Sequence, residues 1–300
     1  MKDQTKGYLF ILIGTFCVGA VSVTSKLALS HMSTLWFLTW MYAFSTVLSF
    51  PYGKKLIFPR DKKSLSYFTL HIGGIVFGWY VSLSGLQYLD APTAAFVSRF
   101  EFPIVMMISM FFLQERLGKI IYPAIVISLI GILVMSEGEI FKDVLQRNTG
   151  KNWGIFLVML AAFGFAFGEL GTKFMAGVVD SRVFTFIRNI LILPFFALLA
   201  FINHGWVEPS FEGLKYAALC ALAGPVLARI CYMESLKRIS LGHATVFTQL
   251  EPVHSFFFAY CLGMELPDGS EVLGGVLILL SCLLLVISEF RGPHKQSLIV

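Results

Sequence analysis

Charge is what this sequence has least of. Asp, Glu, Lys and Arg make up 14% of its 300 residues, where a soluble domain carries nearer a quarter. With 57% hydrophobic residues and a mean hydropathy of +0.77, that shortage overrides what length alone suggests, about two soluble domains, and places the chain in a membrane. Other absences narrow the chemistry. No GxxxxGK[ST] loop is present to cradle a phosphate, which excludes the usual ATP-driven pump, and there is no HExxH or GxSxG, so no enzyme reading survives. The cysteines, Cys17, Cys220, Cys231, Cys261 and Cys282, all sit in apolar runs without ligand spacing. They read as buried thiols, so no metal and no cofactor is expected. His243 and His254 are not spaced as metal ligands with any carboxylate and read as packing or hydrogen-bonded groups. No basic–aromatic motif points to nucleic acid. The first apolar stretch is too long for a signal peptide and has no small-residue cleavage site. The alternation of a membrane β-barrel is missing too.

What is there is apolar length. Ten segments, about 7–29, 33–52, 66–89, 91–113, 118–136, 152–173, 182–203, 212–236, 241–262 and 270–289, each approach the ~20 residues needed to cross a bilayer as a helix. Backbone groups in lipid must be satisfied internally, so the expectation is an all-α integral membrane protein with ten transmembrane helices. Lys and Arg concentrate in alternate loops, including Lys54, Lys55, Arg60, Lys62, Lys63, Lys237 and Arg238. The other loops hold Lys142, Arg147, Lys151 and Lys215. The positive-inside rule then puts both termini in the cytoplasm of a multi-pass cell-membrane protein.

The chain also repeats. Leu86–Leu117 returns at an offset of 150 as Leu236–Pro267, with Leu86 on Leu236, Ala94 on Ala244, Glu101 on Glu251 and Glu115 on Glu265; Pro103 or Pro252 follows each inner Glu. The halves are 1–148 and 149–300, five segments each. An odd number of crossings inserts the second copy upside down, and the loops agree. The basic loop Phe50–Ser64 corresponds to the acidic Asn203–Glu212, and Gln87–Asp90, without Lys or Arg, corresponds to a turn carrying Lys237 and Arg238. Two inverted five-helix repeats are the signature of secondary transporters, with a site near the midplane where the repeats meet.

FEFPIVMMISMFFLQERL (Phe100–Leu117) and LEPVHSFFFAYCLGMEL (Leu250–Leu266), with the stretches ending in Lys26 and Lys173, resemble the EamA-type transporters of the drug/metabolite transporter superfamily. The resemblance covers essentially the whole chain and implies a ten-helix transporter of amino acids or other metabolites. Many members have an Arg near the start of the second and seventh helices; Arg188 fits the seventh, whereas the second offers Trp40.

Charges in apolar segments are costly unless paired or wetted, and each is a functional candidate. Glu101 and Glu251 lie mid-segment and either bind a cationic group or proton, or pair with an Arg. Glu169, whose repeat mate is the neutral Ser22, either binds substrate or pairs with Arg188. Arg229 has Trp79 as its mate. Arg99 either holds a substrate carboxylate or phosphate, or snorkels outward. Glu234 fits an interface, and Lys26 and Lys173 fit helix C-termini. Trp79 and Tyr80 are candidates for a cavity wall, with Trp36, Trp40 and Tyr42. Pro103, Pro252 and Pro225 (beside Gly224), and Gly73 with Gly74, are candidate hinges, since Pro removes a ladder bond and Gly frees the backbone. The intramembrane charges balance, which suits a zwitterionic or amphoteric small molecule. The expected function is secondary active transport of an amino acid or related compound by alternating access, as an exporter. The alternatives are an importer or exchanger of a nucleotide-like metabolite, or a membrane receptor or structural protein. The sequence leaves open whether a proton or counter-substrate is coupled, and the oligomeric state.

Overall fold

The computed structural model describes residues 2–55, 61–113, 120–138, 140, 145, 150–176, 178–239 and 247–291. These form helices and, among the described residues, no strand. The first half contributes α1 (Lys2–Leu29), α2 (Thr34–Ser49), α3 (Lys62–Leu86), α4 (Ala91–Ser98), α5 (Glu101–Leu113) and α6 (Ile121–Met135). The second contributes α7 (Lys151–Ala176), α8 (Ser181–His204), α9 (Phe211–Ala221), α10 (Arg229–Leu236), α11 (Glu251–Cys261) and α12 (Gly269–Arg291). A 3-10 turn, Phe50–Lys55, follows α2, and a π turn, Leu222–Ala228, joins α9 to α10.

Short polar residues start these helices because they satisfy the orphan N–H groups of the first turn. Asp61 accepts from the Ser64 N–H, Asp90 from Thr93, Asp180 from Arg182 and Ser210 from Gly213. At α12 the cap is reciprocal. Asp268 accepts from the Glu271 N–H at 2.8 Å while Glu271 accepts from the Asp268 N–H at 2.7 Å, which is a capping box.

Five helical stretches among the described residues are long and apolar enough to cross a membrane: Gln4–Leu29, Lys62–Leu86, Lys151–Thr172, Ser181–His204 and Phe211–Leu236. α12 runs undivided over 23 residues, and the remaining expected crossings are shorter or divided. α2 has 16 residues and α6 has 15, and the segment expected as one helix over 91–113 is two, α4 and α5, separated by Arg99 and Phe100. The cause is Pro103. In a continuous helix its nitrogen would donate to the Arg99 carbonyl four residues back, and it has no N–H to give. That carbonyl instead accepts the Phe102 N–H at 3.1 Å. Pro252 does the same to the Thr248 carbonyl, and α11 begins at Glu251 after a turn at Gln249 and Leu250. Both prolines therefore lie in the first turn of a new helix, not in the middle of one.

Helices meet mainly across the halves. α3 packs along α7, α2 along α8, α6 along α12, and α1 against α9, α10 and α11. Exchanging the halves maps this set onto itself: α3 on α7 becomes α9 and α10 on α1. Lipid offers no hydrophobic drive to join helices, so close van der Waals approach does the joining. At the α3–α7 seam Gly74 faces Gly164 and Gly168, and a Cβ on Gly74 would lie 2.5 Å from the Gly164 carbonyl oxygen. α3 is continuous there. Of the two residues expected as a hinge, Gly74 packs against the α7 backbone, whereas a Cβ on Gly73 would meet nothing within 4 Å. The junction of α9 and α10 behaves otherwise. Pro225 sits inside the π turn, and the Arg229 N–H reaches the Gly224 carbonyl five residues back.

Candidate functional site

The broken helices bring six charges together. Arg99, in the gap between α4 and α5, donates from Nη2 to Glu251 Oε2 at 2.6 Å and from Nη1 to the Thr248 carbonyl at 3.1 Å. That carbonyl is the one Pro252 leaves without its helical donor. Arg99 thus neither pairs within its own half nor snorkels outward; it closes the break in the other half. The two side chains are 12% and 11% exposed, so the pair is largely desolvated, and removing one partner would strand the other.

Arg229, the first residue of α10, donates to Glu169 of α7 at 3.1 Å. The expected partner of Glu169, Arg188, is not used. The π turn sets the start of α10 so that Arg229 faces α7. Thr172 lies 3.4 Å from Arg229 and its hydroxyl donates to the Gly168 carbonyl. His71 of α3 is fully buried, and its Nδ1 donates to the same carbonyl at 2.8 Å.

Two charges have no such counterpart. Glu101 makes no hydrogen bond or ion pair among the described residues, yet lies within electrostatic reach of Glu169, Arg99, Glu251 and Arg229. It stands between the two ion pairs. Arg188, 2% exposed, gives one hydrogen bond, from Nη2 to the Tyr42 hydroxyl at 3.1 Å, and its Nε and Nη1 have no partner. Glu169 and Arg229 are within its electrostatic reach. A buried guanidinium without an anion is expensive. The neighbouring Asn189 Oδ1 and His71 Nε2 are also without partners. The arrangement therefore leaves one unpaired carboxyl, Glu101, and one unpaired guanidinium, Arg188, each within electrostatic reach of the Arg229–Glu169 pair.

The aromatic candidates fall elsewhere. Trp79 rests edge-on against Phe165, with ring centroids 5.9 Å apart. Tyr80 lines a cavity of about 310 Å³ with Ser33, Thr34, Gln87, Trp153 and His204. Neither hydrogen-bonds to the charged cluster. Trp36 is 6% exposed, packed edge-on against Trp206. Lys26 does cap a helix C-terminus, but that of α3: its Nζ donates to the Leu86 and Gln87 carbonyls at 2.8 and 3.2 Å. Glu234 sits in an interface, accepting from Ser181, Lys237 and Arg238. Glu115, His243 and the Lys173 side chain lie outside the described residues. Sequence reading missed His71 and Thr172. His71 shares a helical face with Gly74 and Gly78, and a polar residue in a glycine seam was the available signal.

The S-adenosylmethionine uptake transporters of Rickettsia conorii and Rickettsia prowazekii are each 26% identical to this chain, over 99% of it and 99% of their own length. An uncharacterized transporter of Synechocystis is 23% identical over 71% of this chain, and the match spans 63% of that protein. A solved crystal structure, 16% identical, covers 95% of this chain and 98% of its own with a TM-score of 0.64, which shows the fold alone. The EamA-like transporter family profile matches twice, at residues 5–137 and 152–287, one match in each half. With both halves matched and the full-length relatives named as transporters, this chain belongs to the EamA-like transporter family.

Proposed function

We propose that the protein is a secondary transporter, not an enzyme, with ten crossings in two inverted repeats and both termini cytoplasmic, and that it moves an amphoteric metabolite by alternating access. The observation that carries the substrate class is that, among the described residues, neither Glu101 nor Arg188 has an ion-pair partner, and Arg188 Nε and Nη1 are unbonded, with the Arg229–Glu169 pair near both. A molecule with a cationic centre and a carboxylate supplies what each lacks. The cationic centre goes to Glu101, and the carboxylate to Arg188 with Tyr42. Glu169, Glu251, Arg99 and Arg229 hold these two groups in place.

Import of a nucleoside-bearing amphoteric compound is the reading favoured over export, because the full-length relatives in Rickettsia are named for uptake of S-adenosylmethionine. That molecule carries an amino-acid carboxylate and cationic centres. The low exposure of the paired side chains supports reading this conformation as occluded. Opening takes place at the breaks before Glu101 and Glu251 and at the π turn around Pro225.

The test is uptake and counterflow in proteoliposomes of the purified chain, with S-adenosylmethionine, neutral amino acids and nucleotides compared. Saturable counterflow of an amphoteric compound, lost in Glu101→Gln, is expected. Counterflow of purely anionic nucleotides alone would overturn the assignment. A reporter fused after Val300 that proves extracytoplasmic would overturn the topology.

A further inference from the structure

A cavity of about 1060 Å³ lies on the outer side of the α3–α7 seam, away from the charged cluster. Its lining changes along its length. Lys62, Ser66, Tyr67 and Thr69 stand at one end, and Leu70, Phe77, Leu160 and Phe163 continue it toward the other. We propose that this groove binds an anionic phospholipid, with an acyl chain between α3 and α7 and the phosphate at Lys62.

Three observations carry it. The first is the order of the lining: its polar side chains all fall in the first two turns of α3, among Leu65 and Phe174, and beyond them it is apolar, which is the layout of a single amphiphile. The second is length. From Lys62 to Phe77 is fifteen helical rises of ~1.5 Å, about 22 Å, which matches one leaflet with its headgroup layer, half of ~40–45 Å. The third is charge. Lys62 is exposed at the rim, on the basic end that the proposed topology makes cytoplasmic, where anionic lipid meets such side chains. A second copy of this chain is disfavoured by the polarity of the groove along its length.

The two adjacent glycines have opposite roles here. Gly74 is pressed against α7, whereas a Cβ on Gly73 would meet nothing within 4 Å. Gly73 is therefore floor of the groove, and a larger side chain there fills the space meant for the acyl chain without disturbing the seam.

The full chain, purified and delipidated in mild detergent, is mixed with equimolar phosphatidylglycerol and phosphatidylcholine, and retained lipid is read by native mass spectrometry. Phosphatidylglycerol should be retained in preference. Lys62→Ala should weaken that preference by about fivefold, the factor that one basic side chain near an anionic surface contributes, while Lys63→Ala, outside the lining, leaves it. Gly73→Phe should abolish retention of both lipids. Gly73→Leu, a smaller plug, should reduce retention with an unchanged elution profile, and so serves where the Phe variant fails to fold. Equal retention of the two lipids, or wild-type retention in both Gly73 variants, overturns the proposal. So does a dimer mass that the Gly73 variants convert to monomer, which would assign the groove to a second copy.

Discussion

Glu101 and Glu251 occupy the same place in the two halves, yet their carboxylates are in opposite situations. Each follows a two-residue break and each opens a helix in its first turn. Glu251 is bound by Arg99 across the interface, and Glu101 has no bond among the described residues. The difference lies two residues earlier, because at the offset of 150 the counterpart of Arg99 is Gln249. There is one guanidinium for two carboxylates. The repeat has kept the backbone feature that proline imposes and let the charge diverge.

The largest effect should come from removing the guanidinium. Arg99→Met leaves Glu251 buried and unpaired, at about 3–5 kcal/mol, and should lower the Tm in detergent by at least about 6 °C. Adding Glu251→Gln should restore most of the loss. If the double variant is as unstable as the single one, Arg99 acts through packing and the contrast between the glutamates fails.

Giving Glu101 what Glu251 has should erase the contrast. Gln249→Arg supplies a guanidinium at the counterpart position, and transport should fall by about tenfold or more, equivalent to ~1.4 kcal/mol of competition for Glu101. The Tm should not fall with it. Unchanged transport in a folded Gln249→Arg protein would remove Glu101 from the site.

The prolines sharpen the comparison further. Pro252→Ala restores an N–H that competes with Arg99 for the Thr248 carbonyl, so it should weaken the cross-half tie by about 1 kcal/mol, whereas Pro103→Ala frees no bond that Arg99 uses. Both should slow counterflow more than they weaken substrate binding. Measured on the same protein, a loss of affinity with wild-type turnover would show that the breaks are not hinges.

The smallest effect concerns Asp268, where the halves differ again, since its counterpart is Gly118. The Glu271 N–H, then the Ser270 hydroxyl and Lys151, hold the Asp268 carboxyl down at about 2. Its folded value lies below the unfolded ~3.9, so its contribution is present above pH ~4 and is lost as pH falls toward 2. The Tm difference between wild type and Asp268→Asn should therefore shrink across that window. A difference that stays constant from pH 5 to pH 3 would separate the cap from any charge effect.

Part of this was legible and part was not. The offset pairs, the Glu beside a Pro and the charges in apolar runs all stood in the sequence, and the same six charged candidates form the cluster. The break at Arg99 was hidden because a proline read as a kink within one helix is, in the structure, the third residue of the next. The partners were hidden because pairing depends on which face each helix turns inward. Arg188 is the nearer in sequence to Glu169, but the π turn delivers Arg229. Trp79 and Tyr80 looked alike in sequence, and adjacent residues on one helix face different neighbours.

By itself the sequence determined that the chain lives in a membrane as two related helical halves, because apolar length and the absence of charge leave a backbone in lipid no other option. It also marked where the helix ladder loses a donor, at Pro103, Pro225 and Pro252, though not which of these becomes a break, since Pro194 lies inside the continuous α8. Only the tertiary structure decided which charges are satisfied and which are left over. Ion pairs form over distances of a few ångströms between residues 60 positions apart within the second half and 152 apart across the halves. Those distances are set by glycine seams and one widened turn, which the order of residues does not display.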